Sequence, residues 1–138
     1  MDEHIRLEVV TPEKVIFSEE VDSLVVPGAA GYLGVLPNHA PMIAALKVGV
    51  VKYHQAGQAK RLAVGGGFLE VALGSKATLL ADSAERAESI DPLRAQAARD
   101  RALKRLRDKQ SNWDHARAQL ALQRALNRLR VAETVRKK

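Results

Sequence analysis

The last third of the sequence, residues 91–135, differs from the rest in charge, in alanine content and in the spacing of its apolar residues. The pattern predicts two helices joined by a polar break at residues 108–112. Asp91 and Pro92 form a start signal, because an Asp side chain caps free N–H groups and Pro suits the first helical position. The chain is therefore predicted to carry a helical hairpin in this region.

Alanine occupies three of the four apolar positions of the first predicted helix and three of the five of the second. The apolar positions are Ala95, Ala98, Ala102 and Leu106 in the first helix and Ala118, Leu122, Ala125, Leu129 and Ala132 in the second. Their spacing gives a heptad-like seam. An alanine forgoes roughly 0.8 kcal/mol of burial per CH₂ that a leucine would add, so the hairpin should be weakly closed. Alanine also favours one continuous helix. We predict two shapes of similar free energy; a permanently closed hairpin is the alternative.

The first ~85 residues predict short strands, because apolar and polar residues alternate over short segments separated mostly by Gly, Pro or Asn. The segments are residues 4–10, 15–17, 23–26, 32–36, 43–46, 49–54, 61–64, 68–73 and 77–81. Such strands, with no helical run between them, predict an antiparallel sandwich or flattened barrel. The expected architecture is an all-β part followed by an all-α part, with the boundary within residues 82–90.

Charge is divided unevenly between the two parts. Residues 91–138 contain 14 Lys and Arg against 5 Asp and Glu, a net charge of +9, whereas residues 1–90 carry −3. A basic helix pair can bind nucleic acid, anionic lipid, an acidic protein surface or a polyphosphate, and charge alone does not choose among them. The absence of cysteine excludes disulfides and thiolate metal sites. We expect no export signal, and no apolar run reaches the roughly 20 residues that span a bilayer.

Catalytic and metal-binding patterns are weak throughout the chain. The glycines at residues 65–67 predict a bulge or a tight crossing between strands, because no helix start follows them. Gly74-Ser75-Lys76 lacks the spacing of a phosphate-binding loop. His4, His39, His54 and His115 show no ligand spacing, and no catalytic triad pattern is present. We expect no metal site, and we expect that the chain alone is not an enzyme.

Three motifs, in order, carry a resemblance to a known family. They are residues 31–41 (GYLGVLPNHAP), 64–71 (VGGGFLEV) and 84–95 (AERAESIDPLRA). In order and spacing they resemble the epsilon subunit of bacterial F-type ATP synthase, over nearly the whole chain. The resemblance implies a β-sandwich of two five-stranded antiparallel sheets, about ten strands, at residues 1–84. It implies a regulatory two-helix hairpin at residues 85–138.

The resemblance also implies partners. It places the chain in the central rotor, bound to the gamma subunit and the c-ring, peripheral to the cytoplasmic face of the bacterial membrane and associated with it only through the complex. The implied gamma and c-ring interface comprises Tyr32, Leu36, His39 and Pro41. When extended, the hairpin would meet the alpha and beta subunits and block ATP hydrolysis. When folded, it would permit hydrolysis.

ATP is the implied regulatory ligand, and no other cofactor is implied. The implied ATP-binding residues are Glu85, Ile90, Asp91, Arg94, Ala95, Arg101, Arg124 and Arg128. Their side chains suit the task, because guanidinium groups from two helices can hold a triphosphate by forked, charge-assisted hydrogen bonds. Carboxylates can accept from the adenine amino group or the ribose. Two alternatives are a free-standing ATP sensor and a nucleic-acid-binding protein with a basic hairpin; the family resemblance implies no nucleic acid partner.

Overall fold

The chain contains eight β-strands, one 3-10 turn and two α-helices in the part described by its structure, a computed structural model. That part is residues 2–108 and 112–136, with the backbone alone for residues 112–114 and 136. The strands are β1 (Ile5–Val10), β2 (Val15–Val21), β3 (Ser23–Gly28), β4 (Gly31–Val35), β5 (Met42–Gln55), β6 (Gln58–Ala72), β7 (Lys76–Ala81) and β8 (Ala84–Arg86). The 3-10 turn (Ala87–Ser89) precedes α1 (Pro92–Arg107) and α2 (Asn112–Arg136). The predicted sandwich followed by a helical hairpin is confirmed.

The described strands form one hydrogen-bonded path in the order β2-β1-β7-β6-β5-β3-β4, and β8 also pairs with β6. Neighbours are antiparallel except β1 and β7, which run parallel. Among the described residues the strands number eight, where the resemblance implies about ten. Strands β5 and β6 each join two of the nine segments that the residue pattern predicts, and β8 is an additional strand. Their 14 and 15 residues pair along nearly their whole length and join the two halves of the sandwich.

The core of the sandwich is built from the inward residues of the alternating strands. In β1, Ile5, Leu7 and Val9 are at most 1% exposed, as their alternation predicts. Among the side chains that the structure describes, Tyr53 is the largest that is fully buried, and its ring lies 5.6 Å from the ring of Phe17. Every member of the buried cluster falls between residues 5 and 84. The sandwich therefore has a hydrophobic core of its own.

Strand β8 was not predicted, because it has only three residues and follows the last clear alternation. Its Arg86 pairs with Leu62 of β6, and the Arg86 guanidinium lies 4.5 Å from the centre of the Phe17 ring. Arg86 Nη2 also donates to Glu19 Oε2 at 3.2 Å. The compact units of the structure divide immediately after this residue, into Met1–Arg86 and Ala87–Lys138.

The second unit is the helical hairpin with its 3-10 turn. Helix α1 begins at Pro92, as predicted, and ends at Arg107 in a last turn that contains Lys104, Arg105 and Arg107. Basic side chains are favourable there, because the carbonyl end of a helix carries partial negative charge. Ser111, a residue of the predicted polar break, lies outside the described residues. Neither helix has a described stretch with the length and apolarity that a membrane span requires.

Candidate functional site

The start of α1 carries Asp91, one of the predicted nucleotide-binding residues, and the structure uses it as the helix cap. Its Oδ1 accepts hydrogen bonds from the backbone N–H groups of Leu93 (3.0 Å) and Arg94 (3.4 Å). Pro92 follows at the first helical position. The cap satisfies backbone N–H groups that the first turn of a helix leaves unpaired, and it fixes the backbone position of Arg94.

The two helices contact each other along the predicted alanine seam. Ala95 and Ala102 of α1 are each 2% exposed, while Ala118, Ala125 and Ala132 of α2 are between 0% and 5% exposed. The buried alanines recur every seven positions in both helices, as the heptad pattern predicts, and α2 also buries Asn127 and Val131 outside that spacing. Because each of these alanines buries only a methyl group, they contribute little apolar area per residue.

The seam also indicates where the predicted arginines lie. Three of the predicted arginines directly precede a seam alanine in the sequence: Arg94, Arg101 and Arg124. Successive residues of an α-helix are rotated by about 100° around its axis, so each of these arginines is displaced from the seam by this angle in the same rotational direction. The helices of a hairpin run antiparallel, and this shared rotation therefore places the three residues on the same side of the hairpin. Arg128, four residues after Arg124, lies on the same face of α2.

Burial differs among these four arginines. Arg94 and Arg101 are exposed on α1, whereas Arg124 and Arg128 are partly buried on α2. The Nε of Arg124 is buried and has no hydrogen-bond partner among the described residues. A buried N–H without a partner is costly, and an anion at this side of the hairpin would remove that cost. This unpaired Nε is the feature of the hairpin that fits a phosphate.

The remaining predicted ATP-binding residues fall in both units. Glu85 lies on β8 in the first unit, where it pairs with Ala63 of β6. Ile90 and Ala95 belong to the second unit and are 7% and 2% exposed. Seven of the eight predicted residues are thus carried by the hairpin unit. No group of His, Asp and Glu among the described residues has a metal-binding arrangement.

The predicted interface residues of the sandwich lie on β4 and on the loop that follows it. Tyr32 of β4 is 60% exposed and Leu36 is 65% exposed. Pro41 is exposed, while His39 is partly buried and its Nδ1 donates to the backbone carbonyl of Ala40 (2.6 Å). Two large apolar side chains therefore project from this end of the sandwich.

A second exposed apolar surface crosses five strands and was not predicted. Cross-strand partners connect Val15 to Val10, Val10 to Leu80, Leu80 to Phe68 and Phe68 to Ala45. Paired residues share a face of the sheet, so these five form one row, here called the apolar stripe. Val15, Leu80 and Phe68 are 58%, 48% and 54% exposed.

The sequence contains a signal for this stripe. Residues 9–10, 15–16, 68–69 and 79–80 are adjacent apolar pairs within strands. Successive side chains of a strand point to opposite faces, so one member of each pair must face outward unless a bulge intervenes. Only the strand pairing shows that these outward residues are neighbours.

Comparison with known proteins gives consistent results for both units. The family described as "ATP synthase, Delta/Epsilon chain, beta-sandwich domain" matches residues 4–87, and "ATP synthase, Delta/Epsilon chain, long alpha-helix domain" matches residues 88–133. The ATP synthase epsilon chain of Desulforamulus reducens is 55% identical over 109 residues, covering 79% of this chain and 82% of that relative. The epsilon chain of Pelotomaculum thermopropionicum is 53% identical, covering 78% and 80%.

A similar fold occurs in a solved structure of the Euglena gracilis mitochondrial ATP synthase, described as OSCP/F1/c-ring in rotational state 1. The similar chain there has 18% sequence identity and a TM-score of 0.77, and the match covers 100% of this chain and 84% of that one. At this identity the likeness concerns the fold.

Proposed function

This chain belongs to the epsilon-chain family of bacterial F-type ATP synthase, and from that membership we propose that it is a noncatalytic subunit of the rotor. In this role the sandwich couples the c-ring to the gamma subunit at the cytoplasmic face of the membrane. The hairpin inhibits ATP hydrolysis when it extends toward the alpha and beta subunits, and bound ATP stabilises its compact, non-inhibitory form. The ATP synthase epsilon chains that are 55% and 53% identical to this chain support this assignment.

The sandwich offers separate surfaces for the two rotor partners. We assign the c-ring contact to Tyr32, Leu36, His39 and Pro41, and the gamma contact to the apolar stripe. Exposed Phe68 and Leu80 lie side by side in the stripe, together with Val15. A row of large apolar side chains on the outer face of a sheet marks a protein contact, since isolated exposed residues do not line up in this way.

The gamma contact is tested by polar substitutions at exposed stripe positions. We expect Phe68→Ser to weaken binding to purified gamma subunit about tenfold or more, because burial of a Phe side chain contributes roughly 1.5 to 3 kcal/mol. Leu73→Ser is the matched control, since Leu73 is 81% exposed and lies outside the stripe. Equal affinity of the Phe68→Ser variant and the unmodified chain for gamma would exclude the stripe as the contact.

The hairpin suits a regulatory role, because its alanine-rich seam predicts weak closure. Methyl groups form its buried seam, and the same alanines support an extended helix. A ligand or partner with a modest preference for one shape can therefore shift the population. ATP acts in this scheme as a signal and not as a substrate.

The unpaired Nε of Arg124 is the observation that carries the ATP proposal. Arg94, Arg101, Arg124 and Arg128 lie on one side of the closed hairpin and come from both helices. A triphosphate held by these groups contacts α1 and α2 together, which is possible only while the hairpin is closed. ATP therefore favours closure by mass action.

Calorimetry with ATP on the full chain tests this site. We expect Arg94→Ala and Arg124→Ala each to weaken ATP binding by roughly 1.5 to 3 kcal/mol, the contribution of a hydrogen bond to a charged group. Arg99→Ala is the control, because Arg99 lies on the other side of the seam and bonds to Asp100 at 3.1 Å. If both test variants bind ATP as tightly as the unmodified chain does, the proposed site is wrong.

A further inference from the structure

The loop at residues 36–41 has a backbone geometry that needs support. It connects β4 to β5 and carries the exposed Leu36. The backbone N–H of His39 donates to the carbonyl of Leu36 at 3.2 Å, and Asn38 has a φ of 68°. A left-handed conformation is uncommon outside glycine, although Asn tolerates it better than most residues. One internal backbone hydrogen bond and the local contact of His39 Nδ1 with the carbonyl of Ala40 are little support for a loop that presents an apolar contact residue.

Ser75 supplies support from the turn between β6 and β7. It is 5% exposed, and its Oγ accepts a hydrogen bond from the backbone N–H of Asn38 at 2.7 Å. Its backbone carbonyl accepts from the N–H of Arg6 in β1 at 2.8 Å. The side chain of Ser75 therefore holds the loop, while its backbone carbonyl is held by strand β1.

The side chain of Asn38 adds a second attachment. Its Nδ2 donates to the backbone carbonyl of Asp2 at 3.0 Å, and its Oδ1 accepts from the backbone N–H of Asp2 at 3.2 Å. This two-bond arrangement resembles one hydrogen-bonded pair of an antiparallel ladder. Three segments far apart in sequence are thus joined at Asn38: the residues before β1, the loop and the β6–β7 turn.

We propose that Asn38 and Ser75 are positioning residues that hold Leu36 in its binding conformation before the c-ring is bound. The inference rests on the proposed function, in which this loop contacts the c-ring. A loop that is already ordered loses little conformational entropy on binding, so preorganisation raises affinity without adding a contact. The two residues act on the c-ring contact through the loop.

The test uses ATP synthase depleted of this subunit and reconstituted with variants of the full chain. Asn38→Gly keeps the left-handed backbone accessible and removes both side-chain hydrogen bonds. Leu36→Ala removes the contact that the loop presents. We expect each single substitution to lower the affinity of the chain for the depleted complex about tenfold. We expect the double variant to show the same loss of about tenfold. Independent effects would multiply to about a hundredfold.

Hydrogen exchange of the free chain provides the second measurement. Asn38→Gly should accelerate exchange at residues 36–41 while amides of the central strands stay protected. Thr11→Ala is the matched control, since it removes another turn hydrogen bond, from Thr11 Oγ to the carbonyl of Lys14 (3.2 Å), and should leave reassembly unchanged. Ser75→Gly removes the hydroxyl, accommodates the φ of 55° at this position and replaces Asn38→Gly if that variant does not fold.

The outcomes separate the two proposals. Reassembly that is unaffected by Leu36→Ala overturns both the loop as the c-ring contact and the positioning role. A tenfold loss for Leu36→Ala, combined with a hundredfold loss for the double variant, overturns the positioning role alone. The positioning role alone is also overturned if the Asn38→Gly variant, or the Ser75→Gly variant that replaces it, reassembles like the unmodified chain.

Discussion

At Gly67 two strands approach so closely that no side chain fits between them. A Cβ placed on this residue would lie 2.1 Å from the carbonyl oxygen of Leu80 and 2.8 Å from Cα of Ala81, and its φ is +132°. The antiparallel register of β5 and β6 continues through this point, because Leu46 pairs with Gly67 and Val48 with Gly65. The predicted tight crossing at the glycine run is confirmed, and its cause is backbone contact.

We therefore expect Gly67→Ala to destabilise the chain by roughly 2 to 5 kcal/mol, combining backbone strain with overpacking. Gly34→Ala is the control, because nothing lies within 4 Å of a Cβ at Gly34. It should change the free energy of unfolding by no more than about 0.5 kcal/mol. Urea denaturation of both variants measures the difference, and equal stability would contradict the steric account.

The packing of the two helices against each other depends on the small size of the seam residues. The seam residue Ala125 is 0% exposed, whereas Ala116 of the same helix is exposed. The alanine pattern alone predicts the pairing of the helices, since seven-residue spacing defines the contact side. The short strand β8 shows the opposite case, because only its pairing with β6 and the contacts of Arg86 define it.

Enlarging the seam should open the hairpin. We expect Ala125→Leu to destabilise the closed form by about 1 to 3 kcal/mol through overpacking, with little change in helix content because both residues favour helix. Ala116→Leu makes the same change on the exposed side and should leave closure intact. Energy transfer between dyes on the two helices reports closure, and an Ala125→Leu variant as closed as the control would show that the seam does not limit packing.

For the whole molecule, the division into two units predicts independent folding of the first. All members of its core cluster lie between residues 5 and 84, and β8 ends at Arg86. A chain that ends at Arg86 should unfold cooperatively on heating and still bind gamma. Truncation after Asp82 removes β8 with its Arg86 contacts and should lower the midpoint of unfolding. Loss of cooperative unfolding in the chain that ends at Arg86 would mean that the sandwich requires the hairpin.

Local patterns were sufficient for the helices, the Asp91 cap, the alanine seam and most strand positions, because hydrogen bonds and side-chain periodicity within a few residues determine those features. Family resemblance supplied the predicted interface and ATP-binding residues. Strand pairing decided the rest. The apolar stripe combines residues 10, 15, 45, 68 and 80. Asn38 is hydrogen-bonded to Asp2, which lies 36 positions earlier in the sequence, and to Ser75, which lies 37 positions later. Such neighbours are set by sheet register, and register depends on the pairing of segments that lie far apart along the chain.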